Sequence, residues 1–164
     1  MRPTRSTAQP STALSLTSAG SRSIATPCVI RIDKYVSLHD AGRILNPALL
    51  DDQVRGGFAM AIGAALYERF VYVDDGGFLT GSFADYAVPT ASMIPELEIL
   101  HMESPSPVTP LGAKGVAEGN AMSTPVCIAN AVADALGVAE ISVPLTPERM
   151  LELLRRGRFT EGRR

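Results

Sequence analysis

Cysteine and histidine are scarce in this chain of 164 residues, which holds Cys28, Cys127, His39 and His101 and no others of either type. Two cysteines so far apart offer neither a metal-ligand spacing nor a disulfide framework, and both suit a reducing compartment. The two histidines are also distant in sequence, so each reads as a turn or strand residue and no metal site is expected. An excess of one charge is missing too. The net charge of −2 leaves no general basic field for nucleic acid. The basic tail at 157–164, with Arg155 and Arg156 just before it, reads as a solvated end and not as an RNA or membrane contact. No apolar run is long enough to span a membrane, and the N-terminal segment lacks the compact apolar stretch of a secretory signal, so the cytoplasm is the default location.

Acidic residues are absent from positions 1–28, where Ser, Thr and Ala dominate and Arg2, Arg5 and Arg22 supply the charge. Such a composition suits an organelle transit peptide, yet Pro3, Pro10 and the missing amphipathic period argue against the helix one needs. A disordered leader or a non-native extension is therefore expected over 1–28. The length suits one domain, and 46% hydrophobic residues are enough for a core over 29–156.

The stretch Gly112-Ala113-Lys114-Gly115-Val116-Ala117-Glu118-Gly119 carries the most chemistry, because it sets one carboxylate among glycines and small apolar residues. Glycines permit close approach of the backbone to a ligand, and poor solvation beside Val116 and Ala117 would raise the carboxyl pKa toward that of a general base. The other reading is a solvated acid ahead of a helix starting near Thr124, where a carboxylate sits well against the helix dipole.

Periodicity and turn residues predict a mixed α/β (α+β) fold without internal repeats. Val29 to Leu38 reads as a strand, with Ile30 and Ile32 on one face, ending at a His39–Gly42 turn. After Asn46-Pro47 a helix is expected over 48–68, and Gly56, Gly57 and Gly63 within it suggest close packing against a backbone or a bound cofactor, or packing between helices in the core. Asp74-Asp75-Gly76-Gly77 predicts a hairpin between 70–73 and 78–82. Leu97 to Glu103 reads as a strand covered on both faces. A helix is expected with Thr124 as N-cap, Pro125 in its first turn, Val126, Ala129, Val132, Ala133 and Leu136 inward, and Gly137 as its stop. Ile141 to Val143 reads as a short strand, and Thr146-Pro147-Glu148 starts a last helix that turns Met150, Leu151 and Leu154 inward before Gly157. Unusual exposed apolar surface is expected on the remainder.

Five blocks occur in a fixed order: Asp40 to Pro47, Gln53 to Phe58, Gly63 to Glu68, Asp85 to Pro89, and the Glu118 loop. From about Val29 to Leu154, that order resembles the C-terminal part of the molybdopterin-binding large subunit in the xanthine dehydrogenase, aldehyde oxidase and carbon monoxide dehydrogenase family, the molybdenum hydroxylases. Pro125 to Gly137 and Pro144 to Met150 add to the likeness. The resemblance implies a partial molybdopterin-binding domain with a molybdenum-molybdopterin cofactor, completed by upstream segments of the large subunit. It implies hydroxylation of an aldehyde or N-heterocycle by metal-activated water, with Glu118 as general base. It also implies cofactor contacts from Gly57, Phe58, Met60, Lys114, Gly115, Val116 and Ala117, a small-molecule substrate, and electron transfer to iron-sulfur and FAD subunits, with no FAD or iron-sulfur site in this chain. The family's large subunit is several times longer, so the chain is expected to be a fragment or separately encoded piece. The alternative is a non-catalytic remnant or interaction module with the same partial fold.

Two positions depart from the family pattern. Ala117 stands where many relatives have Gly, and Met60-Ala61 stands where many have Gln-Gly, so the amide hydrogen bonds of that Gln cannot be made. Purines, aldehydes, N-heterocycles and carbon monoxide remain open as substrates, although the copper-binding Cys loop needed for the last is not seen.

Overall fold

The computed structural model describes residues 28–160 and the backbone of the short strand at 13–15. The remainder of the leader and the end of the basic tail lie outside the described residues. The order of elements is β1 (Ala13–Ser15), β2 (Lys34–Asp40), α1 (Pro47–Leu66), a 3-10 turn (Ala91–Met93), β3 (Leu97–Met102), α2 (Gly119–Leu136) and α3 (Pro147–Thr160). Helices and strands thus mix as expected. The strands form a 3-stranded sheet in the order β1-β2-β3, antiparallel at the first pair and parallel at the second. A parallel pair needs a long crossover, and here α1 lies within it.

Register explains where β2 begins. Its first ladder partners are Ser15 opposite Lys34 and Leu97 opposite Tyr35. The expected strand from Val29 to Leu38 is therefore corrected at both ends. Residues 29–33 stay irregular, although Ile30 and Ile32 still pack against the core. At the other end His39 lies in the strand, opposite His101, and not in a turn. Within the leader, Ala13–Ser15 pair along the other edge of β2.

Alternation places Tyr35, Ser37 and His39 on the buried face of β2, while Lys34 is exposed and Val36, Leu38 and Asp40 are half-buried on the opposite face. On β3, Leu97 is buried and Ile99 packs against the core, but Leu100 and Met102 are exposed. A strand covered on both faces is thus corrected to one covered on a single face. The core under that face holds Tyr35 and Leu97, Leu50, Val54, Phe58, Ile62 and Leu66 from α1, and Ile128 and Val132 from α2. The Tyr35 and Phe58 rings meet at 4.6 Å between centroids.

Helix α1 matches its expected span closely. The Asn46 side chain accepts a hydrogen bond from the Leu49 amide, and proline occupies the first turn, where a missing N–H costs nothing. Of its three glycines expected to pack closely, Gly57 faces the Ala117 backbone carbonyl and Asn120 of α2, and Gly63 faces the Glu68 and Pro89 side chains. A Cβ on Gly63 would overlap the Glu68 carboxylate, while one on Gly57 would make only ordinary contacts and one on Gly56 would meet nothing within 4 Å.

Helix α2 starts earlier than Thr124, with Glu118 at the N-cap and Gly119 as its first residue, so Pro125 lies inside the helix. Its register turns Asn120, Thr124, Ile128 and Val132 inward and leaves Val126 exposed, against expectation. Gly137 ends it as expected, in the left-handed region with φ 64.

The hairpin turn at 74–77 forms, with Val73 donating to the Gly77 carbonyl and Leu79 to that of Val71. Its flanks reduce to a single bridge between Tyr72 and Phe78 and are not strands, for a lone hairpin with exposed faces has little to hold it. Residues 141–143 form no strand either; the chain is held there by Leu145, whose N–H donates to the Ala65 carbonyl at 2.7 Å. In α3, among the described side chains, Met150 and Leu153 are buried and Leu151 is exposed, and the helix runs past Gly157.

Candidate functional site

The Glu118 segment is brought onto the sheet at the end of β2. Gly42, with φ 65, lets the chain turn so closely that a Cβ would overlap the Gly112 carbonyl, and Gly42 bridges Ala113. Arg43 donates its amide to the Gly112 carbonyl at 3.0 Å, and Lys114 donates its own to that of Ala41 at 2.8 Å. The Lys114 ammonium donates to Asp40 Oδ2 at 2.9 Å and to Ser104 Oγ at 2.7 Å, while the Ser104 hydroxyl also bonds Asp40. The Ser104 hydroxyl first, and Lys114 second, hold the Asp40 carboxyl well below the usual carboxylate range. Lys114 therefore anchors the loop, with two of its three ammonium hydrogens turned to Asp40 and Ser104.

Beyond Lys114 the chain opens. Gly115 and Ala117 are exposed, and a Cβ on Gly115 would meet nothing within 4 Å. Among the described residues, the N–H groups of Gly115, Val116, Ala117 and Glu118 have no protein acceptor. Val116 packs partly against the core. Glu118 is exposed and its carboxylate makes no capping bond, so the shelter expected from Val116 and Ala117 is not supplied by these neighbours.

Two anchors flank Glu118. On one side Gln53 Nε2, from α1, donates to the Ala117 carbonyl at 2.9 Å. On the other, Asn120 Nδ2 donates to the Val54 carbonyl of α1 at 2.9 Å, and Asn120 Oδ1 accepts from Ser37 Oγ at 2.8 Å. His39 Nε2 lies 2.7 Å from Ser37 Oγ and 3.2 Å from Asn120 Oδ1. With Ser37 donating to Asn120, the network closes when His39 carries its proton on Nε2 and donates to both oxygens. Burial, ahead of the other influences, pushes the His39 pKa down, and the Asn120 hydrogen bond opposes this. Nearby, the Tyr35 hydroxyl donates to Thr124 Oγ1 at 2.9 Å.

The expected site residues therefore divide. Gly57 lies beside the anchored loop, since its nearest neighbours are the Ala117 carbonyl and Asn120. Met60 is 58% exposed, on the same helix. Phe58 is 1% exposed, and its ring packs in the core against Tyr35. Sequence reasoning missed Asn120, Ser37 and the use made of Gln53. One signal was present: Tyr35, Ser37 and His39 put polar atoms on alternate positions of a strand, and Asn120 and Thr124 do so one helical turn apart. A shallow groove of about 280 Å³ runs beside the loop, lined by Arg43, Leu45, Leu49, Gln53, Lys114 and Val116, among others.

Residues 25–95 match the family model of the molybdopterin cofactor-binding domain. The chain is 39% identical over 125 residues to the nicotine 6-hydroxylase large subunit of Paenarthrobacter nicotinovorans, a match that spans 74% of this chain and 15% of that protein. It is 37% identical over 126 residues to the xanthine dehydrogenase molybdenum-binding subunit of Escherichia coli O157:H7, across 76% of this chain and 17% of that one. Among solved structures, quinoline 2-oxidoreductase from Pseudomonas putida 86 superposes with a TM-score of 0.73 at 36% identity, over 77% of this chain and 16% of that chain. The chain thus spans about a sixth of the length of these relatives.

Proposed function

The chain belongs to the molybdenum hydroxylase family as a part of its molybdopterin-binding large subunit, and we propose that it supplies Glu118 as general base and the backbone of Gly115 to Ala117 as a cofactor contact. What supports this reading best is the placement of Glu118: an exposed carboxylate at the start of α2, preceded by backbone donors that no described protein group uses. Consecutive free N–H groups ahead of a helix suit an electron-rich or anionic ligand. Gly115 leaves open space for such a ligand.

When bound, molybdenum-molybdopterin would supply the activation of water and the oxidising power for the reaction. The work of this chain is then positional and acid-base. A carboxylate oxygen of Glu118 takes the proton of the attacking water, the Gln53 and Lys114 anchors hold the loop, and Gly57 and Met60 present the facing side of α1. Remaining large-subunit segments would close over Glu118 and exclude bulk water. The substrate is a small molecule, an aldehyde or N-heterocycle, and the electrons pass to iron-sulfur and FAD subunits.

The decisive variant is Glu118→Gln, made in a large subunit assembled from this chain and the remaining segments. It should lower turnover about 100- to 10,000-fold, as expected for a lost general base. Molybdenum and pterin content, read by elemental analysis and by fluorescence of the oxidised pterin, should not change. Turnover at the unsubstituted rate would sink the assignment.

A further inference from the structure

We propose that Asn120 is a positioning residue for Glu118, fixing the first turn of α2 so that the carboxylate keeps one direction; this rests on the reading of Glu118 as the base. Helix starts are usually held by an N-cap side chain, but Glu118 in the N-cap position makes no capping bond. The first turn is held from inside instead. Asn120 is 2% exposed, and its amide joins three elements: Nδ2 donates to Val54 of α1, while Oδ1 accepts from Ser37 of β2, with His39 Nε2 within 3.2 Å of the same oxygen.

Burying a primary amide costs free energy unless every polar atom finds a partner, so a residue used only for filling would be apolar here. An amide with partners on two neighbouring elements gives what an apolar residue cannot, a fixed rotation of the helix about its axis. The Gln53 bond to the Ala117 carbonyl restrains the preceding residue. Glu118 is therefore bracketed between two restraints, both referred to adjacent positions of α1, and its backbone has little freedom to swing. Near-attack geometry is sensitive to displacements of about 1 Å, which can cost about 100-fold in rate.

The test uses the assembled large subunit with Asn120→Ala, Ser37→Ala and Glu118→Gln. Asn120→Ala should lower kcat about 10- to 100-fold with KM and molybdenum content unchanged. Hydrogen exchange supplies a readout independent of turnover. The amides of 122–124, the first that the helix itself bonds, should exchange about tenfold faster, while those of β2 and β3 keep their protection. Ser37→Ala, which removes one partner of Oδ1 and leaves the others, should show the same pattern in weaker form, and it carries the test if Asn120→Ala does not assemble. Faster exchange spread equally over β2, α1 and α2 would overturn the proposal, showing general loosening. So would an unchanged kcat in Asn120→Ala beside an inactive Glu118→Gln, which leaves the base assignment standing. An active Glu118→Gln would instead remove the base assignment, and this proposal with it.

Discussion

His39 shows how far a single residue can be read from its neighbours in sequence. The strand before it was legible from its β-formers, but His39 itself was read as the start of a turn; its partner Asn120 lies 81 positions away, and no local pattern announces the contact. The same holds for Lys114, which stood out in its glycine-rich segment although its ion pair with Asp40 spans 74 positions. Burial has a consequence for His39 that pH can read. Its folded-state pKa is pushed down, mainly by burial, with His101 across the ladder adding in the same direction and the Asn120 bond opposing. The unfolded chain titrates near the ordinary value of about 6.5. Below that pH the unfolded state binds a proton that the folded state refuses, so stability falls as pH drops; above it, this contribution is constant. Urea midpoints should therefore decline from pH about 7 to about 5, by at most about 1.4 kcal/mol per pH unit for one group. In His39→Gln the decline should be smaller. Equal slopes in the two proteins would show that His39 is not the group responsible.

Elements divide by whether their determinants are local. Helix α1 could be read almost to the residue because Asn46 and Pro47 are start signals that act on their own first turn. Helix α2 could not, because Pro125 is a start signal only when nothing upstream is helical; here tertiary contacts from Asn120 and Thr124 hold an extra turn and a half ahead of it. Strand limits failed for a related reason, since a strand exists only where a partner runs beside it, and the partners of β2 begin at Lys34. The glycines of α1 give the test at this scale. Gly56 is exposed, with nothing within 4 Å of a built Cβ, so Gly56→Ala should stabilise the helix by about 0.5–1 kcal/mol. Gly63→Ala should gain less, because its methyl group must move the Glu68 carboxylate, which accepts from the Tyr86 hydroxyl, and press on Pro89. A thermal midpoint of Gly63→Ala at or above that of Gly56→Ala would contradict the packing seen around α1.

Across the whole molecule, the surface tells most about context. Leu45, Leu49 and Met60 on and before α1, Phe70, Tyr72, Phe78 and Phe83 around the 74–77 turn, and Leu100 and Met102 on β3 are all exposed. Apolar surface on this scale was expected from the resemblance, since a chain matching about a sixth of its relatives' length presents faces that other segments cover there. Which faces these are could not be read from sequence: the open side of β3 depends on no described segment packing against its even-numbered positions, a fact of topology and not of pattern. Monomeric proteins rarely leave large contiguous apolar patches in water. The chain expressed alone should therefore bind a hydrophobic dye strongly and self-associate in sedimentation. Co-expression with the remaining large-subunit segments should suppress both behaviours and shield Met60, Leu100 and Met102 from solvent. Methionine oxidation gives a direct count of that shielding, because peroxide reaches exposed thioethers and spares buried ones. Met60 and Met102 should be oxidised readily in the isolated chain and slowly in the assembly, while the buried Met150 should resist in both. Equal oxidation of Met60 and Met102 with and without the other segments would mean that these faces are not where the remainder of the subunit docks.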